Sequence, residues 1–211
     1  MEIIFLKEVD STHKYLKTLI SENGFTKPLA IVTTNQTNGI GSRDNSWNGI
    51  MGNLFFSFVV SKNDLPNDLK IESASIYFSF LLKEILKDLG SNVWLKWPND
   101  FYIEDKKIGG TITTLSNDLL YCGIGLNLQQ VSDIYGFLDI NIDMHVLLEK
   151  YFESIFSGIT WKCIFSKFQI EFSPSKNFKT TINHEKVPLL DAILLEDGSL
   201  MIDNKKVYSS R

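Results

Sequence analysis

The chain has 211 residues, 44% of them hydrophobic, and carries a formal net charge of -4 with a pI near 5.4. That length and apolar content suffice for one substantial domain plus a small appendage, while the acidic balance argues against a surface built for phosphate backbones and so against nucleic acid as a partner. The longest apolar run, Leu54 to Val60, is far too short to cross a bilayer.

Ile3 to Val9 reads as a first strand, and Asp10-Ser11-Thr12 offers a capping oxygen to a helix running to Ser21, with Tyr15, Leu16, Leu19 and Ile20 as its apolar stripe. Leu29 to Thr33 is a second strand. From Thr34 to Gly52 polar residues and glycine take over, with a lone Trp47 and no visible period. A structureless stretch of that length inside a domain points to a lid or binding loop. Asn53 to Val60 resumes as a strand. Ile71 to Leu89 reads as an amphipathic helix with Ile76, Phe80, Ile85 and Leu89 near one face and Gly90 as its stop. Strands follow at Val93 to Trp97, Ile108 to Leu115 and Leu119 to Leu126, with polar turns at Glu104-Asp105-Lys106 and Ser116-Asn117-Asp118. Met144 to Phe156 and Trp161 to Ile170 read as helices. Short strands with a hairpin signal at Glu196-Asp197-Gly198 close the chain. The expectation is an α+β fold, a mixed and mostly antiparallel central sheet flanked by helices over 1–172, with a small SH3-like β module over 173–211.

Cys122 and Cys163 lie far apart without His or Cys neighbours at metal-ligand spacing, so they are expected to be two buried free thiols, with neither a disulfide framework nor a metal site. The start of the chain has no basic region followed by a long apolar stretch, which reads as no signal peptide and predicts a soluble, cytoplasmic protein. Chemistry concentrates in Lys96-Trp97-Pro98-Asn99-Asp100, followed by Lys107 and Gly109-Gly110. Two cations, a carboxylate, an amide and an indole share one short stretch, equipment suited to anions. The plain alternative is a solvated charged hairpin. Proline there removes a ladder donor and fixes the chain direction, which favours a site. Gly123 and Gly125 end a strand and would let a ligand lie against backbone. Gly39, Gly41 and Arg43 form a second such region, Arg43 being able to fork onto phosphate. His13 reads as an ordinary first-turn helix residue, and no histidine forms a triad pattern.

These segments together resemble the biotin protein ligases, of the kind without an N-terminal DNA-binding domain. The family's Ser-Thr-Asn helix start is matched by Ser11-Thr12-His13, with histidine in place of asparagine. Its Gln-x-x-Gly-x-Gly stretch ending in tryptophan is matched from Gln36 to Trp47. Lys-Trp-Pro-Asn-Asp is complete at 96 to 100, the ligand lysine falls on Lys107, the following glycine on Gly110, and Gly-x-Gly-x-Asn on 123 to 127. Five motifs in order are specific. The family's loop reads Gly-Arg-Gly-Arg, whereas Ile40 and Ser42 stand at its arginine places here, with Arg43 one position on.

The resemblance implies ATP-dependent activation of biotin to biotinyl-5'-AMP, then transfer to a lysine of the biotin carboxyl carrier domain of acetyl-CoA carboxylase. It implies Lys107, Asp100 and Arg43 as catalytic residues. Biotin is expected at Ser11, Thr12, His13, Gln36, Gly39, Gly41, Lys107, Gly110 and Gly123, and the nucleotide at Arg43, Trp47, Lys96, Asn99 and Asn127. Magnesium would accompany ATP, without a dedicated carboxylate cage. The 34–52 loop is expected to be disordered without ligand and to fold over biotin or the adenylate, excluding water. The protein is expected to be a monomer or a homodimer, with no repressor role. Rival readings are a lipoate or octanoate ligase or transferase of the same broad fold, and a non-catalytic biotin or adenylate binder.

Overall fold

The computed structural model describes residues 1–41, 46–47, 50–182 and 185–208. Its centre is a seven-stranded sheet in the order β1-β2-β5-β9-β8-β7-β6. The strands are β1 (Glu2–Leu6), β2 (Leu29–Thr33), β5 (Leu54–Ser61), β6 (Trp94–Lys96), β7 (Asp100–Ile103), β8 (Lys106–Ser116) and β9 (Leu119–Leu126). Only the β1/β2 pair is parallel, and the remaining neighbours run antiparallel. The mixed, mostly antiparallel sheet is therefore as expected. Two short strands, β3 (Gly39–Ile40) and β4 (Ser46–Trp47), pair within the loop that connects β2 to β5.

Helix α1 (Thr12–Asn23) starts where the Ser11 side chain accepts from the Lys14 backbone N–H and stops at Gly24, whose φ of 76° suits glycine. It packs Leu16 and Ile20 against Ile31, Val59 and Tyr121 on one face of the sheet. The opposite face carries the main core, where Phe56 and Phe58 of β5 meet α2 (Ala74–Asp88) and α3 (Met144–Ile155), and Phe168 of α4 (Trp161–Glu171) packs on Phe80. No helix among the described residues is long and apolar enough to cross a membrane.

Several expectations need correction. The first strand ends at Leu6, because Val9 keeps only an isolated parallel bridge to Gln36 as the chain turns toward α1. The second helix-like stretch is not one amphipathic helix: Ile71–Ser73 is a 3-10 turn, and α2 is buried nearly all round by the sheet, α3 and α4, leaving Leu89 exposed just past its end. Strand β7 was not anticipated, and neither was the β3/β4 pair inside the stretch read as structureless. Cys122 is buried as expected, but Cys163 is exposed on α4.

The end of the chain folds into a two-stranded ladder, β10 (Lys179–Ile182) with β11 (Glu185–Pro188), and a three-stranded one, β12 (Ile193–Leu194), β13 (Leu200–Ile202) and β14 (Lys205–Val207). These short strands pack on the rest of the chain, Leu189, Ala192 and Leu200 joining the main core. Trp97 Nε1 donates to the Gly198 carbonyl at 2.7 Å, Trp161 Nε1 to the Glu196 carbonyl at 2.8 Å, and Ser73 Oγ to the Asp197 carbonyl at 2.6 Å.

Candidate active site

Sheet register assembles the site on the α1 face. Residues directly opposite in neighbouring antiparallel strands point the same way, and one such row runs Lys96, Asp100, Gly110, Gly125, Phe55. The next runs Ile112, Gly123, Ser57. Three glycines thus sit between Asp100 and Ser57, and the missing side chains leave a trench. It deepens into a cavity of about 500 Å³ lined by residues of α1, β5, β7, β8, β9 and the loop around β3 and β4.

At one end Lys107 Nζ lies 2.6 Å from Asp100 Oδ1, and Lys96 Nζ lies 3.6 Å from Oδ2. One carboxylate is shared by two ammonium groups, so this end keeps a net positive charge. Lys96 is 7% exposed and does not line the cavity. Burial pulls its pKa below the ordinary lysine value, Asp100 opposes that, and the Lys107 charge adds to it. Asn99, expected to face a nucleotide, does line the cavity, but its side-chain N–H groups are directed to the Thr111 carbonyl. The Thr111 N–H returns a bond to the Asn99 carbonyl at 3.1 Å, and Ser79 Oγ of α2 donates to Thr111 Oγ1 at 2.7 Å. Asn99 therefore braces the turn before β7.

The other end is a polar well. Gln36 Oε1 accepts from the Thr12 backbone N–H at 2.9 Å and from Thr12 Oγ1 at 3.2 Å, and Thr12 Oγ1 lies 2.9 Å from Ser57 Oγ. His13 is 7% exposed and lines the cavity, with Nε2 3.1 Å from Thr114 Oγ1. It is therefore part of the well as well as the first turn of α1.

Trp47 covers the trench. A Cβ on Gly125 would fall 2.8 to 3.1 Å from three indole atoms, so only glycine permits this approach, and Lys107 Nζ stands 5.6 Å from the indole centroid. The buried Trp47 Nε1–H finds no acceptor among the described residues. Beside it Asn127 Nδ2 donates to the Gly136 carbonyl at 3.1 Å, and the Gly136 N–H to the Lys107 carbonyl at 3.0 Å. That ties the loop bearing Tyr135 to the back of Lys107.

Of the expected site residues, Ser11, Thr12, His13, Gln36, Gly41, Trp47, Asn99, Asp100, Lys107, Gly110, Gly123 and Asn127 all line this cavity. Gly39 lies beneath it, between Gln36 and Trp47. Arg43 falls outside the described residues, as do 42, 44, 45, 48 and 49, so the expectations for that arginine and for the middle of the loop fall outside them too. Sequence reasoning missed Ser57, Thr111 and Tyr135. For Ser57 a signal existed: it is the lone polar residue inside the apolar run Leu54 to Val60.

The sequence profile of the biotin/lipoate A/B protein ligase family matches residues 5–127, more than half of the chain, and the chain belongs to that family. Among solved structures, the biotin acetyl coenzyme A carboxylase synthetase of Helicobacter pylori with bound biotinylated ATP is similar at 39% identity, over 98% of this chain and 99% of that one, with a TM-score of 0.93. The biotin protein ligase of Aquifex aeolicus in complex with biotin and ATP shares the fold at 23% identity, over 98% and 94% of the two chains, with a TM-score of 0.76. Among curated relatives, the bifunctional ligase/repressor BirA of Escherichia coli is 29% identical over 133 residues, 60% of this chain and 40% of that protein, so the chain matches less than half of that relative's length.

Proposed function

We propose that the protein is a biotin protein ligase that converts biotin and ATP to biotinyl-5'-AMP and pyrophosphate and then transfers biotin to a lysine of a carrier domain. The observation that carries this reading is the bipolar cavity: a polar well at Thr12, Gln36 and Ser57, a glycine trench, and a lysine-rich end at Lys107. Biotin has a matching layout, a cyclic urea at one end and a carboxylate at the other. A lipoate ligase would need an apolar well in place of the urea contacts.

In the first step a biotin carboxylate oxygen attacks the α-phosphorus of ATP and pyrophosphate leaves. Two anions must meet, and Lys107 stands where it would screen them and stabilise charge on the bridging oxygens. Asp100 holds that ammonium in place. Lys96 adds positive charge from behind, and Arg43 would assist on the phosphate. In the second step a lysine amine attacks the acyl carbon of the mixed anhydride, AMP leaves with the C–O electron pair, and the amine loses a proton, for which Asp100 is the carboxylate lining the cavity. Trp47, Asn99 and Asn127 would border the nucleotide. Ser11, Thr12, His13, Gln36, Gly39, Gly41, Gly110 and Gly123 would surround biotin. Magnesium enters this reading as MgATP, since Asp100 is occupied by two lysines and no cluster of three metal-ligating side chains occurs among the described residues. The reading extends to a catalytic domain over 1–172, a β module over 173–211, and a cytoplasmic protein, monomeric or homodimeric, acting on the carrier domain of acetyl-CoA carboxylase.

The test is pyrophosphate release from ATP on adding biotin, lipoate or octanoate in parallel, followed by labelling of a carrier domain. Biotin-dependent release with labelling is expected. Biotin binding without release would leave a binder, and release that depends on lipoate would overturn the reading.

A further inference from the structure

Ser57 is fully buried on β5, next to Ile31 of β2 and Gly123 of β9. Its place in the hydrogen-bond chain can be worked out from proton count. The Thr12 backbone N–H can only donate, so the Gln36 atom facing it must be Oε1, and Nε2 lies instead against Gly39, where a Cβ would stand 2.3 Å from it. Thr12 has one hydroxyl proton, and it is directed to the same Oε1. The 2.9 Å contact between Thr12 Oγ1 and Ser57 Oγ must then use the serine's proton. With that proton spent, Ser57 faces the cavity as an acceptor only. Gly123 keeps the approach open: even a Cβ there would lie 3.1 Å from Ser57 Oγ.

We infer that Ser57 is a specificity-determining residue. It fixes the direction of the chain Ser57 to Thr12 to Gln36, so that the well offers a hydroxyl oxygen to an N–H of a cyclic urea. An aliphatic acid or a dithiolane ring supplies no such N–H and would leave that oxygen buried and unsatisfied, a basis for rejection. This inference rests on reading the cavity as a biotin site.

The experiment uses the full chain, calorimetric binding of biotin and of its two ureido N-methyl derivatives, and steady-state kinetics. Ser57→Ala is expected to weaken biotin binding about tenfold, the size of one hydrogen bond to a buried group. Turnover at saturating biotin and the KM for ATP should stay within about twofold, because Ser57 is remote from the Lys107 end. One N-methyl derivative should bind the wild type poorly, and the gap between it and biotin should shrink in Ser57→Ala, since the methylated nitrogen has lost the proton that Ser57 accepts. That ratio compares two ligands on one protein, so a general loss of stability would not change it. Unchanged biotin affinity in Ser57→Ala, or an undiminished gap, would overturn the inference while leaving the ligase reading intact. No biotin binding by the wild type would overturn both.

Discussion

Lys107 Nζ sits 2.6 Å from Asp100 Oδ1, a pairing made across neighbouring strands β8 and β7. The carboxylate holds the ammonium against the open trench at Gly110. Replacing Lys107 by methionine keeps the stem and removes the charge. Biotin-dependent pyrophosphate release should fall by roughly two to three orders of magnitude, as when a preorganised electrostatic partner is deleted. Asp100→Asn should give a smaller loss, because the lysine keeps its charge and loses its anchor. Rates in Lys107→Met within a few-fold of wild type would rule out the proposed role.

Trp47 reports on the cavity. Its indole rests on Gly125, so Gly125→Ala should displace it and lower activation of biotin while leaving most of the sheet intact. Addition of biotin and ATP should change tryptophan emission, and most of that change should vanish in Trp47→Phe. Equal responses in both proteins would show that the indole does not meet the ligands.

Stability should depend on Lys83, whose side chain is fully buried between Glu84 at 3.0 Å and Glu171, joining α2 to α4. Lys83→Ala leaves these carboxylates without their shared cation and should cost about 1–3 kcal/mol, limited because both retain contact with water. Lys83→Met, which keeps the packing over Phe80, should cost less. Urea midpoints of the two variants test the order.

Acid stability should reveal Asp197. Burial pushes its carboxyl pKa up, but hydrogen bonds from Lys206 and Ser199 more than offset this and bring it from 3.8 down to about 2. A carboxylate with a depressed folded-state value stabilises fully above its unfolded value and progressively less as pH falls through the folded one. The contribution should therefore be complete above about pH 4 and fade toward pH 2. Asp197→Asn should flatten the fall of the thermal midpoint across that window. A fall as steep as in the wild type would exclude this contribution.

Much of this was legible in the chain. A continuous apolar run marks β5 because both of its faces are covered, one by the main core and the other by α1 and the site. The short motifs located the trench because its chemistry depends on residue types in sequence: the glycines at 110, 123 and 125, and the charged pair at 100 and 107. What escaped notice depends on register. Strand β7 is only four residues long and lies between a proline turn and a charged hairpin, so no period develops. Helix α2 disguised its environment, since Ser75, Ser79 and Lys83 are polar yet buried, Ser79 bonded to Ser75 and Thr111 and Lys83 paired with glutamates. Ser57 is polar in an apolar run, but only pairing with β9 shows that it faces Gly123.

Trp97 is held from behind by residues far along the chain: its indole N–H by the Gly198 carbonyl and its backbone N–H by Ser175 Oγ at 3.0 Å. The segment that carries Asn99 and Asp100 thus receives its final support from residues translated well after it. During synthesis the sheet can form first, but the turn leading to Asp100 would lack this backing until residue 198 has left the ribosome. On the proposed function, a nascent chain would then form the reactive anhydride poorly until that later segment had folded against Trp97.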